Sequence, residues 1–368
     1  MALNRKVAVI GSAIRAPADG KTQSLEELLY EVSQSALRDA GLTIEDIDGL
    51  VVASNDQFDG RAISVMAASG SVGGVDRDIL STPSASEHAF VMGVLRVASG
   101  QYRTHVVVSW SPTEAFPLRE AERLAADPYF HRRLPLDDLS SYALQAGVLL
   151  AKVPAAQEAA AVLAKLWSAR KGEPPADPKR WPLTPDMVSA PITGAVALVI
   201  ADEAFVFDHK CQKVAWIKGL GWATETGFLG DRDLATAPAL DAAVAQAYGD
   251  AGITKPGEAF DVAEVFAATP YQTLIALDGL GLSKKSDWLA DVTSDRFSAE
   301  GKLPLNPSGG ARSANALYCN GLISIAEAAN QVRGCATTQV SGVRTALAHA
   351  ASGVAMQYQT VVVFGSQN

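Results

Sequence analysis

The chain has 368 residues, 48% of them hydrophobic, and a formal net charge of −9 with no acidic or basic block. That length buries one large core or two ordinary ones, and the charge argues against nucleic acid, whose phosphates select clustered Lys and Arg. Three cysteines, Cys211, Cys319 and Cys335, make no CxxC pair and no zinc spacing, so no metal site is expected and a reducing cytoplasm suits them.

Val7-Ala8-Val9-Ile10-Gly11 reads as a first buried strand ending at a glycine turn, too short for a signal core or a membrane span. Ser24 caps a helix with acids in its first turn, and Gly41 stops it after Asp39-Ala40. The strand Gly49–Ser54 completes a βαβ unit. A helical stretch from Arg61 to Gly70 follows. Next, the polar turn Ser81-Thr82-Pro83-Ser84-Ala85-Ser86-Glu87 runs into an apolar helix that Gly100 stops, with Ser84 or Ser86 as its cap. The strand His105–Trp110 comes at once. A helix start of this kind concentrates N–H donors and positive dipole, where enzymes put nucleophiles and anionic intermediates.

The second half repeats the plan. Lys213–Gly219 is a strand ending in glycine, and a helix over Leu240–Tyr248 ends at Asp250-Ala251-Gly252, as the first ends at Asp39-Ala40-Gly41. The strand Val262–Phe266, a helix Gly321–Val332 stopped by Gly334, and the strand Thr360–Gly365 complete it. Two matched halves mean a duplicated fold, with domains at 1–212 and 213–368. Within the first lies an insertion over 111–190. It carries helices at Leu139–Leu150 and Ala155–Ala169, then a proline-rich run, and suits either a lid over a pocket or a surface excursion.

Asn306-Pro307-Ser308-Gly309-Gly310, with the helix ending Gln331-Val332-Arg333-Gly334, resembles the C-terminal half of a thiolase. Ala346–Gly353 resembles that family's closing active-site loop, and the opening strand with Asp46-Ile47-Asp48-Gly49 is similar to thiolases of the sterol-carrier-protein type. The resemblance spans nearly the whole chain. It implies an α/β fold of two duplicated βαβ-rich halves in five layers, α/β/α/β/α, a coenzyme A thioester as substrate, and a dimer formed through the first half.

The chemical positions depart from that family. Ser84-Ala85-Ser86-Glu87 stands where a thiolase has Cys-Ala-Ser-Gly, and a hydroxyl is a far weaker nucleophile than a thiol of lowered pKa. Phe266-Ala267-Ala268-Thr269 replaces Asn-Glu-Ala-Phe, Asn315-Ala316-Leu317 replaces Gly-His-Pro, and His349 aligns with the acid/base cysteine. The ordinary Claisen mechanism is therefore not expected. Candidate catalytic residues are Ser84, to polarise the thioester carbonyl; His349, as acid/base near neutral pH; Tyr318, by analogy with thiolase-fold aldolases; and Asn315. Arg132, Arg133, Gly310 and Ser352 are candidate coenzyme A contacts. Cys319, Asn320, Tyr271 and His88 carry less weight. Two readings stay open. One is an atypical acyltransferase or retro-aldol lyase on an acyl-CoA. The other is a non-catalytic subunit beside a catalytic paralogue or a small zinc-ribbon/OB-fold partner.

Overall fold

The structure is a computed structural model, which describes residues 4–15, 23–60, 63–83, 85–112, 117–134, 136–168, 180–266 and 268–367. Among the described residues nine strands form one sheet: β1 (Val7–Arg15), β2 (Gly49–Ala53), β3 (Asp78–Thr82), β4 (Thr104–Ser111), β5 (Gly194–Asp202), β6 (Ala215–Thr224), β7 (Val262–Val265), β8 (Thr345–Ser352) and β9 (Tyr358–Gly365). Their order is β3-β2-β4-β5-β1-β6-β9-β8-β7. The seam is narrow, since β1 meets β6 only through Ala8–Trp216 and Val9–Ala215.

The halves on either side of the seam follow one topology. In the first, β2 is parallel to β3 and β4, and β5 is antiparallel to β4 and β1. In the second, β7 is parallel to β8, and β9 is antiparallel to β8 and β6. The counterpart of β3 has shrunk to Leu305, which makes one parallel bridge to Ala263. Beyond it the Asn306 side chain substitutes for a strand residue, accepting from the Val265 N–H at 2.6 Å and donating to its carbonyl at 2.9 Å.

Gly11 and Gly219 were expected to end their strands. Both strands instead run on, with a register shift at each glycine. A Cβ at Gly11 would overlap the Ala36 carbonyl of the helix Leu25–Ala40, and one at Gly219 would overlap the Ala247 carbonyl of the helix Pro238–Ala251. The glycines let each half's first helix sit directly on its first strand. Those helices end at Gly41 and Gly252, both left-handed, with φ of 71° and 67°.

Three cores separate five layers. One lies between the helix Leu25–Ala40 and the first half-sheet, around Ile10, Leu29, Val52 and Trp110. The central one encloses the helices Ser86–Ala98 and Asn320–Arg333 between the two half-sheets. The third packs the helices Pro238–Ala251 and Pro270–Gly279 on the second half-sheet. The insertion helices Asp138–Lys152 and Ala156–Ser168 join this third core through Ala146, Leu149, Ala160 and Leu163, and Gln272 donates to Gln145 at 3.1 Å. The stretch 346–352, expected as a loop, is β8, and Ser81-Thr82, expected as part of a turn, ends β3. Among the described residues no helix is long and apolar enough to cross a membrane.

Candidate active site

Strand period fixes which β8 side chains reach the centre. Ala346 and Ala348 belong to the central core, while Leu347 and Ala351 belong to the outer core of the second half. Alternation puts Ala350 and Ser352 on the central face and His349 on the outer one. His349 is fully buried there, with Nε2 on Gln359 Oε1 at 2.7 Å. The Gln359 amide nitrogen donates to the Met356 carbonyl at 2.7 Å, so its oxygen faces the imidazole and the ring proton lies on Nε2. Burial lowers the His349 pKa to about 4, with the Gln359 bond opposing. The structure thus separates His349 from the residues it was expected to join. A strand's two faces are set by register, which the residues of one strand do not reveal.

On the central face the two enclosed helices meet at their N-termini. Ser86 does not cap its own helix. The cap position is Ala85, without a side-chain bond, and Ser86 Oγ accepts from the Leu322 N–H of the other helix at 2.9 Å. Ser86 is 0% exposed and so is committed to structure. Beside it Glu87, 1% exposed, lies over Gly321. A Cβ at Gly321 would overlap Glu87 Oε2 and stand 3.1 Å from Ala350 Cβ, so glycine makes the room for the carboxylate. Ser352 Oγ donates to Glu87 Oε1 in a short hydrogen bond. Ser352 is half-buried, so this pair joins a partly exposed residue to a buried carboxylate. Two helix N-termini favour negative charge at the place where it sits.

Ser352 ends β8 and opens a strained connection. Gly353 (φ 71°), Ala355 (φ 49°) and Met356 (φ 58°) are all left-handed, and the latter two are buried. Non-glycine residues there cost on the order of 1–3 kcal/mol each and persist where the surroundings over-determine them. Tyr358, paired with Ser352 across the turn, stands edge-on to His88 at 5.1 Å.

The remaining candidates lie at separate places. Tyr318 lies near the carboxylate, with its hydroxyl donating to the Ser54 carbonyl at 3.2 Å. Burial first, then the Glu87 charge, drives its pKa well above the ordinary phenol value. Asn315 and Asn320 tie segments together: Asn320 donates to Asn315 Oδ1 at 2.8 Å, and Asn315 donates to the Ser189 carbonyl at 2.9 Å. Cys319 is wholly buried, its thiol aimed at the Gly194 carbonyl at 3.6 Å and its pKa raised by burial. Tyr271 is 1% exposed within its helix. Gly310 (φ 56°) turns the chain beside Ser308, which donates its N–H and hydroxyl to Glu264 at 3.1 and 2.7 Å. Arg132 caps the helix Leu118–Ala125 through the Leu124 and Ala126 carbonyls, at 2.7 and 3.2 Å, while Arg133 is exposed. Ser84 lies outside the described residues. Glu87 was missed as a site residue. Its place depends on Gly321 and Ser352 in the other half, and its own neighbours in the chain mark only a helix start.

A duplicated five-layer fold with paired central helices, whose N-termini meet at the carboxyl ends of parallel strands, defines a thiolase-fold protein. Residues 221–366 match the thiolase C-terminal domain-like family, and the fold of the chain is that of the thiolases. Among solved structures, the Ltp2-ChsH2(DUF35) aldolase aligns with a TM-score of 0.78 at 18% identity, over 100% of both chains. A monomeric SCP2-thiolase-like protein type 1 from Mycobacterium smegmatis aligns at 0.71 and 17% identity, over 100% of this chain and 79% of that one. Human mitochondrial 3-ketoacyl-CoA thiolase aligns at 0.67 and 15% identity, over 100% of both. Beta-ketoacyl-acyl-carrier-protein synthase III of Synechococcus elongatus is 34% identical over 100 residues, 27% of this chain and 30% of that relative's length.

Proposed function

We propose that the chain is a lyase of the aldol type acting on an acyl-CoA thioester, with Ser352 and Glu87 as its proton-transfer pair. The observation that carries this reading is the Glu87 carboxylate, held by Ser352 where two helix N-termini converge. The described thiol and hydroxyl nearest the thiolase chemistry, Cys319 and Ser86, are buried and already engaged, which disfavours an acyl-enzyme. Proton transfer needs only a base within reach and donors for an enolate.

In the cleavage direction a 3-hydroxyacyl thioester gives its hydroxyl proton to Ser352, whose own proton passes to Glu87. The Cα–Cβ bond breaks, a carbonyl product leaves, and the electron pair enters the thioester enolate facing the helix N–H groups. The same pair then returns a proton to Cα. Arg133 is exposed for a coenzyme A phosphate, whereas the Arg132 guanidinium already serves as a helix cap.

Incubation with 3-hydroxyacyl-CoA thioesters, followed by detection of the shortened acyl-CoA, tests the reading. Glu87→Gln should lower turnover by about 10²–10⁴-fold, the range of general acid–base catalysis. Wild-type turnover in both Glu87→Gln and Ser352→Ala would falsify it.

Assembly follows the same reading. Ile63, Met66 and Val75, 53%, 70% and 66% exposed, lie in the segments leading to the edge strand β3, an apolar border for a second copy. The Ltp2-ChsH2(DUF35) aldolase pairs two proteins, which favours a second protein beside this chain, and the small zinc-ribbon/OB-fold partner expected from the resemblance is the candidate. The engagement of Ser86 and Cys319 also suits a non-catalytic subunit. That second reading expects no turnover from the isolated chain and co-purification with an active paralogue.

A further inference from the structure

Two buried polar chains converge on the turn between β8 and β9, residues 353–357. In one, Arg232, with its side chain 3% exposed, donates Nη1 to the Val354 carbonyl and Nη2 to the Ala355 carbonyl, both at 2.7 Å. Its Nε is held at 2.9 Å by Glu225 Oε2. Glu225 is fixed to the same turn by its backbone, whose N–H donates to the Gln357 carbonyl at 3.0 Å while its own carbonyl accepts from Gln357 Nε2 at 3.1 Å. In the other, His349 holds Gln359, which donates to the Met356 carbonyl. The carbonyls of Val354, Ala355 and Met356 are thus all claimed by buried side chains. The same residues include the two left-handed non-glycine positions. An unstrained hairpin would not need such a brace. Ser352, which the turn delivers to Glu87, is the residue whose place the brace fixes.

We propose that Arg232 is a positioning residue: with Glu225 it clamps the strained β8–β9 turn so that the Ser352 hydroxyl stays on the Glu87 carboxylate, and the His349–Gln359 pair braces the same turn at Met356. This deepens the proton-transfer reading above and rests on it for its effect on turnover. A planar guanidinium with three aligned donors suits two adjacent carbonyls and a carboxylate at once, which a lysine ammonium cannot reproduce.

The test combines kinetics with a readout that needs no turnover. Arg232→Lys should lower kcat by about 10- to 100-fold while KM changes less than threefold, because a catalytic hydroxyl has moved and the binding surface has not. Combined with Ser352→Ala, Arg232→Lys should cost nothing further, since both act through one contact. Should Arg232→Lys not fold, Glu225→Gln with Arg232→Gln removes both charges together and takes its place. Separately, a thiol at position 352 (Ser352→Cys) should react slowly with iodoacetamide beside Glu87, and at least tenfold faster once Arg232→Lys is added, read by mass mapping of that peptide. An unchanged alkylation rate, or losses of kcat that multiply in the double variant, overturns the clamp. If Glu87→Gln and Ser352→Ala keep full turnover while alkylation still accelerates, the clamp stands as geometry and the proton-transfer reading is what fails.

Discussion

The two halves share a strand order and diverge where the site is built. The first half keeps β3 as an open edge, and its central helix begins with the bulky pair Ser86-Glu87. The second half reduces its third strand to Leu305, closes that edge with the Asn306 amide, and begins its helix with Asn320-Gly321. The carboxylate of one helix rests on the glycine of the other, and the serine of one accepts the N–H of the other. Duplication thus supplies two similar helix N-termini, and the differences between them leave one buried carboxylate where a symmetric seam would have two or none. The halves differ also in how tightly helix and sheet meet. Against the single Gly11 of the first half, the second has both Gly219 and Gly221 facing backbone carbonyls of the helix Pro238–Ala251.

That last difference leads to the largest expected effect on stability. Gly219→Ala forces a methyl into the Ala247 carbonyl, which cannot rotate away, and should cost more than about 3 kcal/mol or prevent folding. Gly11→Ala meets the Ala36 carbonyl and, at 2.7 Å, the Ala40 methyl; it should cost less, because its overlap with the Ala36 oxygen is shallower than the overlap with the Ala247 oxygen at Gly219. Urea denaturation of the two variants compares them directly, and equal losses would mean that the halves are packed alike.

Next in size is a pH effect confined to the second half. His349 titrates near 4 in the fold against an ordinary 6.5, so it is the unfolded chain that takes up the proton first. The stability this buried neutral ring contributes is complete above pH 6.5 and is lost as pH falls toward 4. The two and a half pH units correspond to about 3 kcal/mol. Wild type should lose that much more than His349→Asn between pH 7 and 4, as measured by chemical denaturation at each pH; parallel curves would show that the ring is not sequestered.

What the sequence discloses about this protein divides along physical lines. Helix stops at Gly41, Gly252 and Gly334 are legible because a left-handed residue after a periodic apolar run has one common cause. The duplication is legible because local patterns repeat. By contrast, Gly11 and Gly219 look like strand ends, since a close helix–strand approach and a turn both select glycine. The strand β3 is short, polar and exposed at its start, so its Ser81-Thr82 reads as a turn. Alanine-rich β8 carries too little β-branched signal to declare itself, and with that strand missed the facing of His349 was lost as well. Tyr318, a candidate through the resemblance to thiolase-fold aldolases, lies near the Glu87 carboxylate, whereas Glu87 itself gave no signal, because its surroundings are assembled from the other half.

A middle-sized effect tests the closed edge of the second half. Asn306→Ala removes both bonds to Val265 and leaves a buried N–H and carbonyl unpaired at the end of β7, a loss of about 2 kcal/mol. It also places alanine at φ 49°, which asparagine tolerates better. Hydrogen exchange at the Val265 amide should accelerate with the loss of stability. If exchange there is unchanged, Leu305 alone closes the edge.

The smallest expected effect concerns the link between the halves. Ser86→Ala leaves the Leu322 N–H without its acceptor, and loss of a helix cap costs about 1 kcal/mol. Because that cap is supplied by the other half, the loss should appear in exchange at the start of the helix Asn320–Arg333, while the helix that carries residue 86 keeps its own protection. The same substitution leaves the Ser352–Glu87 bond intact, so turnover should fall less than tenfold. A drop as large as that of Glu87→Gln would mean that Ser86 takes part in the chemistry, and that the first half contributes a hydroxyl as well as a carboxylate to the shared site.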